Sequence, residues 1–254
     1  MQRNTGAPIS RVMSLWEYAN PKKFMQVSGA VLPWVGGLAA ACLAIGLSWG
    51  FFFTPDDFRQ GSTVKIIYIH VPAALMGINA WLMMLVTSLI WLVRRHHVSA
   101  LAAKAAAPVG LVMTVIALAT GAIWGQPMWG TWWAWDPRLT SFLILGLFYL
   151  GYIALWSAID NPDTAADLTA VLCLVGSVFA LLSRYAVLFW NQGLHQGASL
   201  TVTQDNPISD VFYWPLVTSI SGFVLLFLTL VLIRTRTEIR RRRLQALLNR
   251  ERRT

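Results

Sequence analysis

Five of the chain's thirteen tryptophans, Trp124, Trp129, Trp132, Trp133 and Trp135, fall within twelve residues. Indole offers a large flat aromatic face, and a group this dense asks for a large flat partner. The same stretch, Trp129-Gly130-Thr131-Trp132-Trp133-Ala134-Trp135-Asp136-Pro137-Arg138-Leu139-Thr140, carries a guanidinium whose fork matches carboxylates. Of four histidines, His70 and His195 are the two that charge counting, below, puts on the tryptophan side. Imidazole is a common axial ligand to haem iron. These residue types together suit a planar macrocycle with a metal at its centre. The imidazoles of His70 and His195 would meet the metal, and Trp129, Trp132, Trp133 and Trp135 would stack on the ring. Arg138, with Arg184 as a second candidate, would take its acidic substituents.

Each residue also has a structural alternative. Tryptophans at the ends of apolar runs ordinarily form an aromatic belt at headgroup level. His70 alone can hydrogen-bond a neighbouring backbone carbonyl, although an ionisable group at membrane depth is costly and leans towards function. Asp136 can cap a helix or pair with Arg138 rather than touch a ligand. His96 and His97, beside Arg94 and Arg95, read as a solvated, headgroup-facing helix end. Locally, Pro127 suits a helix start, and Asp136-Pro137 disfavours helix beyond Trp135. A turn or two of interfacial helix between them would set Trp129, Trp132 and Trp133 on one face.

The elements that must position these residues are apolar spans. The 254 residues are 56% hydrophobic and 12% charged, against roughly 25% charged in ordinary soluble domains. Runs of about 20 apolar residues, enough to cross a hydrocarbon core, recur along the chain. They lie at about 27–53, 66–93, 106–124, 139–159, 168–190 and 211–233. The expected fold is all-α: a polytopic bundle of six transmembrane helices with a tryptophan-rich interfacial segment on its outer face. Residues 1–26 form a polar N-terminal segment, 27–233 the membrane domain and 234–254 a basic tail. The tryptophan segment (124–140) and a polar loop (191–210) join spans on the outer side.

Sixteen of the twenty lysines and arginines fall on the side of the termini, and three, Arg59, Lys65 and Arg138, on the other. The positive-inside rule then places both termini in the cytoplasm and the tryptophans, His70 and His195 outside. A loop with Asp160, Asp163 and Asp167 but no positive charge fits that count less well. The net charge of +9 is therefore a membrane pattern rather than a nucleic-acid footprint, with the arginine tail resting on anionic lipid. Residues 1–26 are not a cleavable signal, because the apolar run behind them is too long. Cys42 and Cys173 sit inside spans as small hydrophobes. The chain has no Cys-x-x-Cys-His, so it is not itself a c-type cytochrome.

The tryptophan segment resembles the WWD signature of haem-handling membrane proteins, and the chain is most similar to the CcmC family of bacterial cytochrome c maturation. Tyr68-Ile69-His70-Val71-Pro72-Ala73-Ala74 and Leu194-His195-Gln196-Gly197 are similar to that family's two histidine segments. The likeness spans essentially the whole chain. Phe189 and the approach to His195, and Arg184, depart from the family pattern. The resemblance implies a protein of the bacterial inner membrane that holds haem b at its periplasmic face. Iron would be bound by His70 and His195, with haem contacts from Trp129, Trp132, Trp133, Trp135, Asp136 and Arg138. It further implies delivery to the haem chaperone CcmE, beside the small membrane protein CcmD and the ABC-transporter subunits CcmA and CcmB. That role is non-catalytic. Rival readings are a haem lyase-type enzyme, a transmembrane haem exporter subunit and an electron carrier. Six spans without a large outer domain argue against the lyase. Little polar beyond Asn79 and Arg184 lies within the spans to line a transport path.

Overall fold

The computed structural model describes residues 20–189 and 208–252. Its elements are α1 (Pro21–Phe52), a 3-10 turn (Ser62–Ile66), α2 (Ile67–Arg94), α3 (His97–Trp129), α4 (Pro137–Ala158), α5 (Pro162–Phe189) and α6 (Asp210–Glu251). All six α-helices are long and apolar enough to cross a membrane, and no strand occurs among the described residues. The chain is an all-helical, multi-pass membrane protein.

The helices start and stop on local chemistry. Asn20 caps α1 by accepting from Lys22 N–H at 2.9 Å, with Pro21 in the first turn, where its missing N–H costs nothing. Arg95 in the left-handed conformation (φ 52°) ends α2. His96 Nδ1 accepts from Ser99 N–H at 3.2 Å and so caps α3. His96 thus also caps α3, and α2 turns into α3 within two residues. Asn161 opens α5 by accepting from Asp163 and Thr164 N–H.

Five span limits differ from the sequence expectation by five residues or more. The first helix begins at Pro21 rather than near 27, and the third ends at Trp129 rather than near 124. The third helix begins at His97 rather than near 106, because the alanine-rich stretch Ala100–Ala107 is a strong helix former despite Lys104. The fifth begins at Pro162, so Asp163 and Asp167 lie on helix rather than loop. The sixth does not stop where apolarity ends near Ile233 but runs to Glu251. Its 42 residues, at about 1.5 Å each, reach about 63 Å, well beyond a bilayer of about 40–45 Å.

Packing follows the rule that helices in lipid associate through small residues and satisfied polar groups. α1 lies on α6, where a Cβ at Gly46 would meet the Ser219 backbone nitrogen at 2.7 Å and one at Gly222 would meet that of Leu43 at 2.9 Å. Elsewhere α1 shows Trp34, Leu38, Ile45 and Trp49 to its surroundings. The centre of the bundle is built on Trp81 and Tyr149, both fully buried and edge-to-face at 4.7 Å. Trp81 Nε1 donates to Cys173 O (3.1 Å) and Ser177 Oγ (3.2 Å), tying α2 to α5. Tyr149 Oη donates to Gly77 O (2.8 Å), tying α4 to α2.

The arginine-rich end is a network of its own. Asp167 pairs with Arg95 and accepts from Trp91 Nε1 at 3.0 Å, while Asp163 lies 3.8 Å from His97. Two carboxylates of the acidic stretch that fitted the charge count poorly, Asp163 and Asp167, are therefore matched by neighbours at the junction of α2 and α3. Glu238 bonds Lys104 at 2.8 Å, Arg234 donates to Ala105 O at 3.1 Å, and Arg236 donates to Ser28 Oγ at 2.8 Å. The first turns of the basic tail are thereby clamped to α1 and α3.

Candidate functional site

At the opposite end the helices and the loop after α1 line a cavity of about 720 Å³. Small-molecule and cofactor sites typically measure about 300–1,000 Å³. His70 of α2, Trp124 and Trp129 of α3, Arg138 and Phe142 of α4, and Phe212 of α6 line it, and Ile78, Ala117 and Leu118 form an apolar floor. The loop after α1 closes one side through Pro55, Asp56, Asp57, Phe58 and Gln60.

That loop is folded tightly on itself. Asp57 and Gly61 exchange backbone hydrogen bonds at 3.1 and 2.8 Å, and Asp57 Oδ1 accepts from Arg59 and Gln60 N–H, both at 2.8 Å. Gly61 holds φ +56°, a conformation that suits glycine. Gln60 Oε1 accepts from Trp124 Nε1 at 2.8 Å, which pins the loop to the cavity wall. Sequence reasoning passed over Gln60. An Asx turn at Asp57 was readable as a compact loop, but a partner 64 residues away carries no local signal.

His70 occupies the fourth position of α2 and lies against α3. Its Nδ1 is 3.1 Å from Thr120 Oγ1, and a Cβ at Gly121 would come within 3.0 Å of its Cε1. The ring therefore rests on a hydroxyl and in the gap left by a glycine.

The tryptophan segment differs from the expected interfacial helix. Pro127 lies in the last turn of α3 instead of starting a new helix. Gly130 at φ 73° ends α3, its N–H bonding Gln126 O at 2.9 Å. Residues 131–136 are not helical, so Trp129, Trp132 and Trp133 do not share a helical face. Instead Trp124 and Trp129 form one edge-to-face pair (5.2 Å) and Trp133 and Trp135 another (5.6 Å). Only the first pair lines the cavity. Trp132 and Trp135 are exposed, and Trp133 is half-buried. Asp136 is buried and caps α4, its Oδ1 accepting from Leu139 N–H at 2.6 Å.

Arg138 follows directly, with Asp136 attracting its charge and Arg184 repelling it. Arg138 is the guanidinium among the cavity's lining residues, and Asp56 and Asp57 of the loop after α1 are the carboxylates, Asp56 being paired with Lys65 at 3.2 Å. His195 lies outside the described residues. The structure thus brings His70, Trp129 and Arg138 to one cavity and adds Trp124, which the sequence had grouped with them. Chemically, the cavity offers indole edges and faces, apolar walls, one imidazole, one guanidinium at Arg138 and the carboxylates of Asp56 and Asp57 in the loop that closes one side. It fits a flat, largely apolar ligand with an acidic edge.

The chain matches the profile of one protein family, CcmC, described as Heme exporter protein C, over residues 14–250. The Heme exporter protein C of Paracoccus denitrificans is 76% identical over 241 residues, covering 95% of this chain and 100% of that protein. The protein of that name from Rhodobacter capsulatus is 71% identical, covering 94% and 99%. That from Escherichia coli K12 is 42% identical over 226 residues, covering 89% and 91%.

Proposed function

This chain belongs to the CcmC family, Heme exporter protein C, and from that membership and the cavity around His70 we propose that it receives haem and passes it on. The observation that carries this reading is the meeting of His70, Trp124, Trp129 and Arg138 around one cavity of about 720 Å³. The cargo is haem b, iron protoporphyrin IX. His70 and His195 are its iron ligands, Trp129 supports the ring with Trp124, and Arg138 faces the propionates with help from Arg184. Trp132, Trp133 and Trp135 lie outside the cavity lining, in the segment between Trp129 and Arg138 that do line it, and their assigned role is an indole surface that shields a ring still showing an edge to a partner. Asp136 contributes by starting α4, which sets the position of Arg138.

The site faces the periplasm of a bacterium whose inner membrane holds the protein, with both termini in the cytoplasm. The receiving partner is the haem chaperone CcmE, and CcmD, CcmA and CcmB complete the assembly for cytochrome c maturation. No covalent chemistry is assigned to the chain's own residues.

Passage of haem through the bundle is the second reading, favoured by the name of the relatives, Heme exporter protein C. Against it, the core below the cavity is filled by Trp81, Met84, Met113 and Tyr149, all buried. A receiving and handing-on role needs no path through that core.

Purified protein is expected to carry haem with a bis-histidine absorption spectrum, lost in His70→Ala and in His195→Ala. Normal haem content in both variants would end the ligation assignment. Covalent haem on co-expressed chaperone is the test of delivery, and none on an intact chaperone would overturn it. Haem flux in proteoliposomes lacking the partners would instead favour passage.

A further inference from the structure

His70 has two ring nitrogens, and which one carries the proton decides which one can bind a metal. The structure contains the answer in the hydrogen bonds of Thr120. Its hydroxyl has a single proton, and Oγ1 lies 2.7 Å from Ile116 O, the carbonyl one turn back on α3. A carbonyl only accepts, so that proton is committed to it. The 3.1 Å contact between Thr120 Oγ1 and His70 Nδ1 must then run the other way, with Nδ1–H as the donor. A neutral ring donating from Nδ1 carries its lone pair on Nε2.

Gly121 completes the arrangement. A Cβ there would come within 3.0 Å of His70 Cε1 and 3.6 Å of Nδ1, so a side chain at residue 121 would push the ring edge bearing those atoms away from α3 by a few tenths of an ångström. Both His70 and Gly121 line the cavity. We propose that Thr120 and Gly121 form a seat that fixes the tautomer and direction of His70, making Nε2 the ring's metal-binding nitrogen. Thr120 and Gly121 are positioning residues, and neither touches the ligand's metal. The assignment of the tautomer stands on the apoprotein's own hydrogen bonds. What Nε2 meets rests on the haem reading above.

Ligands of this kind usually lock their second nitrogen to a polar partner, and loss of that partner typically lowers metal affinity about 10- to 100-fold. The test uses the full-length haem-free protein in detergent with ¹⁵N-labelled histidine, the His70 signals being assigned by their loss in His70→Gln. Ring-nitrogen NMR is expected to show His70 protonated at Nδ1. Thr120→Val keeps the shape of the side chain but removes the acceptor, and is expected to release the ring to a mixture with the Nε2–H form. Thr120→Ser is expected to restore the wild-type tautomer. Haem titration on the same proteins is expected to show about 10- to 100-fold weaker binding for Thr120→Val, recovery in Thr120→Ser, and weaker binding in Gly121→Ala, whose methyl displaces the ring.

A wild-type ring protonated at Nε2 would overturn the proposal without any variant being needed. So would an unchanged tautomer in Thr120→Val. If the tautomer responds as described while haem binds equally to wild type, Thr120→Val and His70→Ala, the seat stands and the haem assignment of His70 fails instead.

Discussion

Tyr68 precedes His70 by two residues and is fully buried against α1. It fits there because residue 50 is glycine, since a Cβ at that position would fall 2.3 Å from Cδ2 of the Tyr68 ring. An added methyl has no room, and overpacking of this kind costs about 1–3 kcal/mol. Gly50→Ala is therefore expected to lower the melting temperature of the detergent-solubilised protein. Gly37→Ala serves as the contrast, because nothing lies within 4 Å of its Cβ position. Relief of the glycine penalty in a helix there is worth about 0.5–1 kcal/mol in the opposite direction. Equal melting temperatures for the two variants would show that Gly50 is not a contact that sets α2. At this scale the sequence was readable by type: a histidine at a span start, indoles and a guanidinium in one segment. Thr120 and Gln60 were not readable, because what they do depends on partners 50 and 64 residues away.

At the scale of elements, α3 and α4 meet in the tryptophan segment, and their junction decides which indoles reach the cavity. Pro127 has the residue type of a helix start, yet it sits in the last turn of α3. The better signal was Gly130 directly after Trp129, a glycine in the position that commonly ends helices in the left-handed conformation. Asp136-Pro137 was legible both as a break and as a cap with proline in the first turn, and the structure bears out the cap. This yields a separation of roles. Asp136→Ala removes an N-cap and is expected to cost about 0.5–2 kcal/mol. Asp136→Asn keeps an equally good acceptor for Leu139 N–H, so its melting temperature is expected to match that of wild type. Haem content in Asp136→Asn is likewise expected to be retained, because the carboxylate acts by starting the helix that carries Arg138. A stable Asp136→Asn protein without haem would assign the negative charge itself to the site.

For the whole molecule, six apolar runs were plain in the composition, and with them the class of fold. What composition could not show was the pairing at the arginine-rich end. Asp163, Asp167 and Glu238 are answered by His97, Arg95 and Lys104 from other helices, and Arg236 crosses to Ser28 on α1. These contacts turn a run of charge that looked like a free tail into part of the packing. They also leave the asymmetry of positive charge as the argument for orientation, because thirteen lysines and arginines among the described residues lie at that end or beyond it, against Arg59, Lys65 and Arg138 towards the other. Labelling of single cysteines tests it directly. Phe58, 89% exposed in the loop beside the cavity, and Arg250, exposed near the end of α6, mark the two ends. Cys42 is first replaced by alanine, and Cys173 stays because it is fully buried. In intact cells with a permeabilised outer membrane, a membrane-impermeant maleimide is expected to label Phe58→Cys at once and Arg250→Cys only after the inner membrane is opened. The reverse pattern would put the tryptophan cavity in the cytoplasm. Haem held there could not be handed to a periplasmic chaperone, so the delivery reading would fall with the orientation.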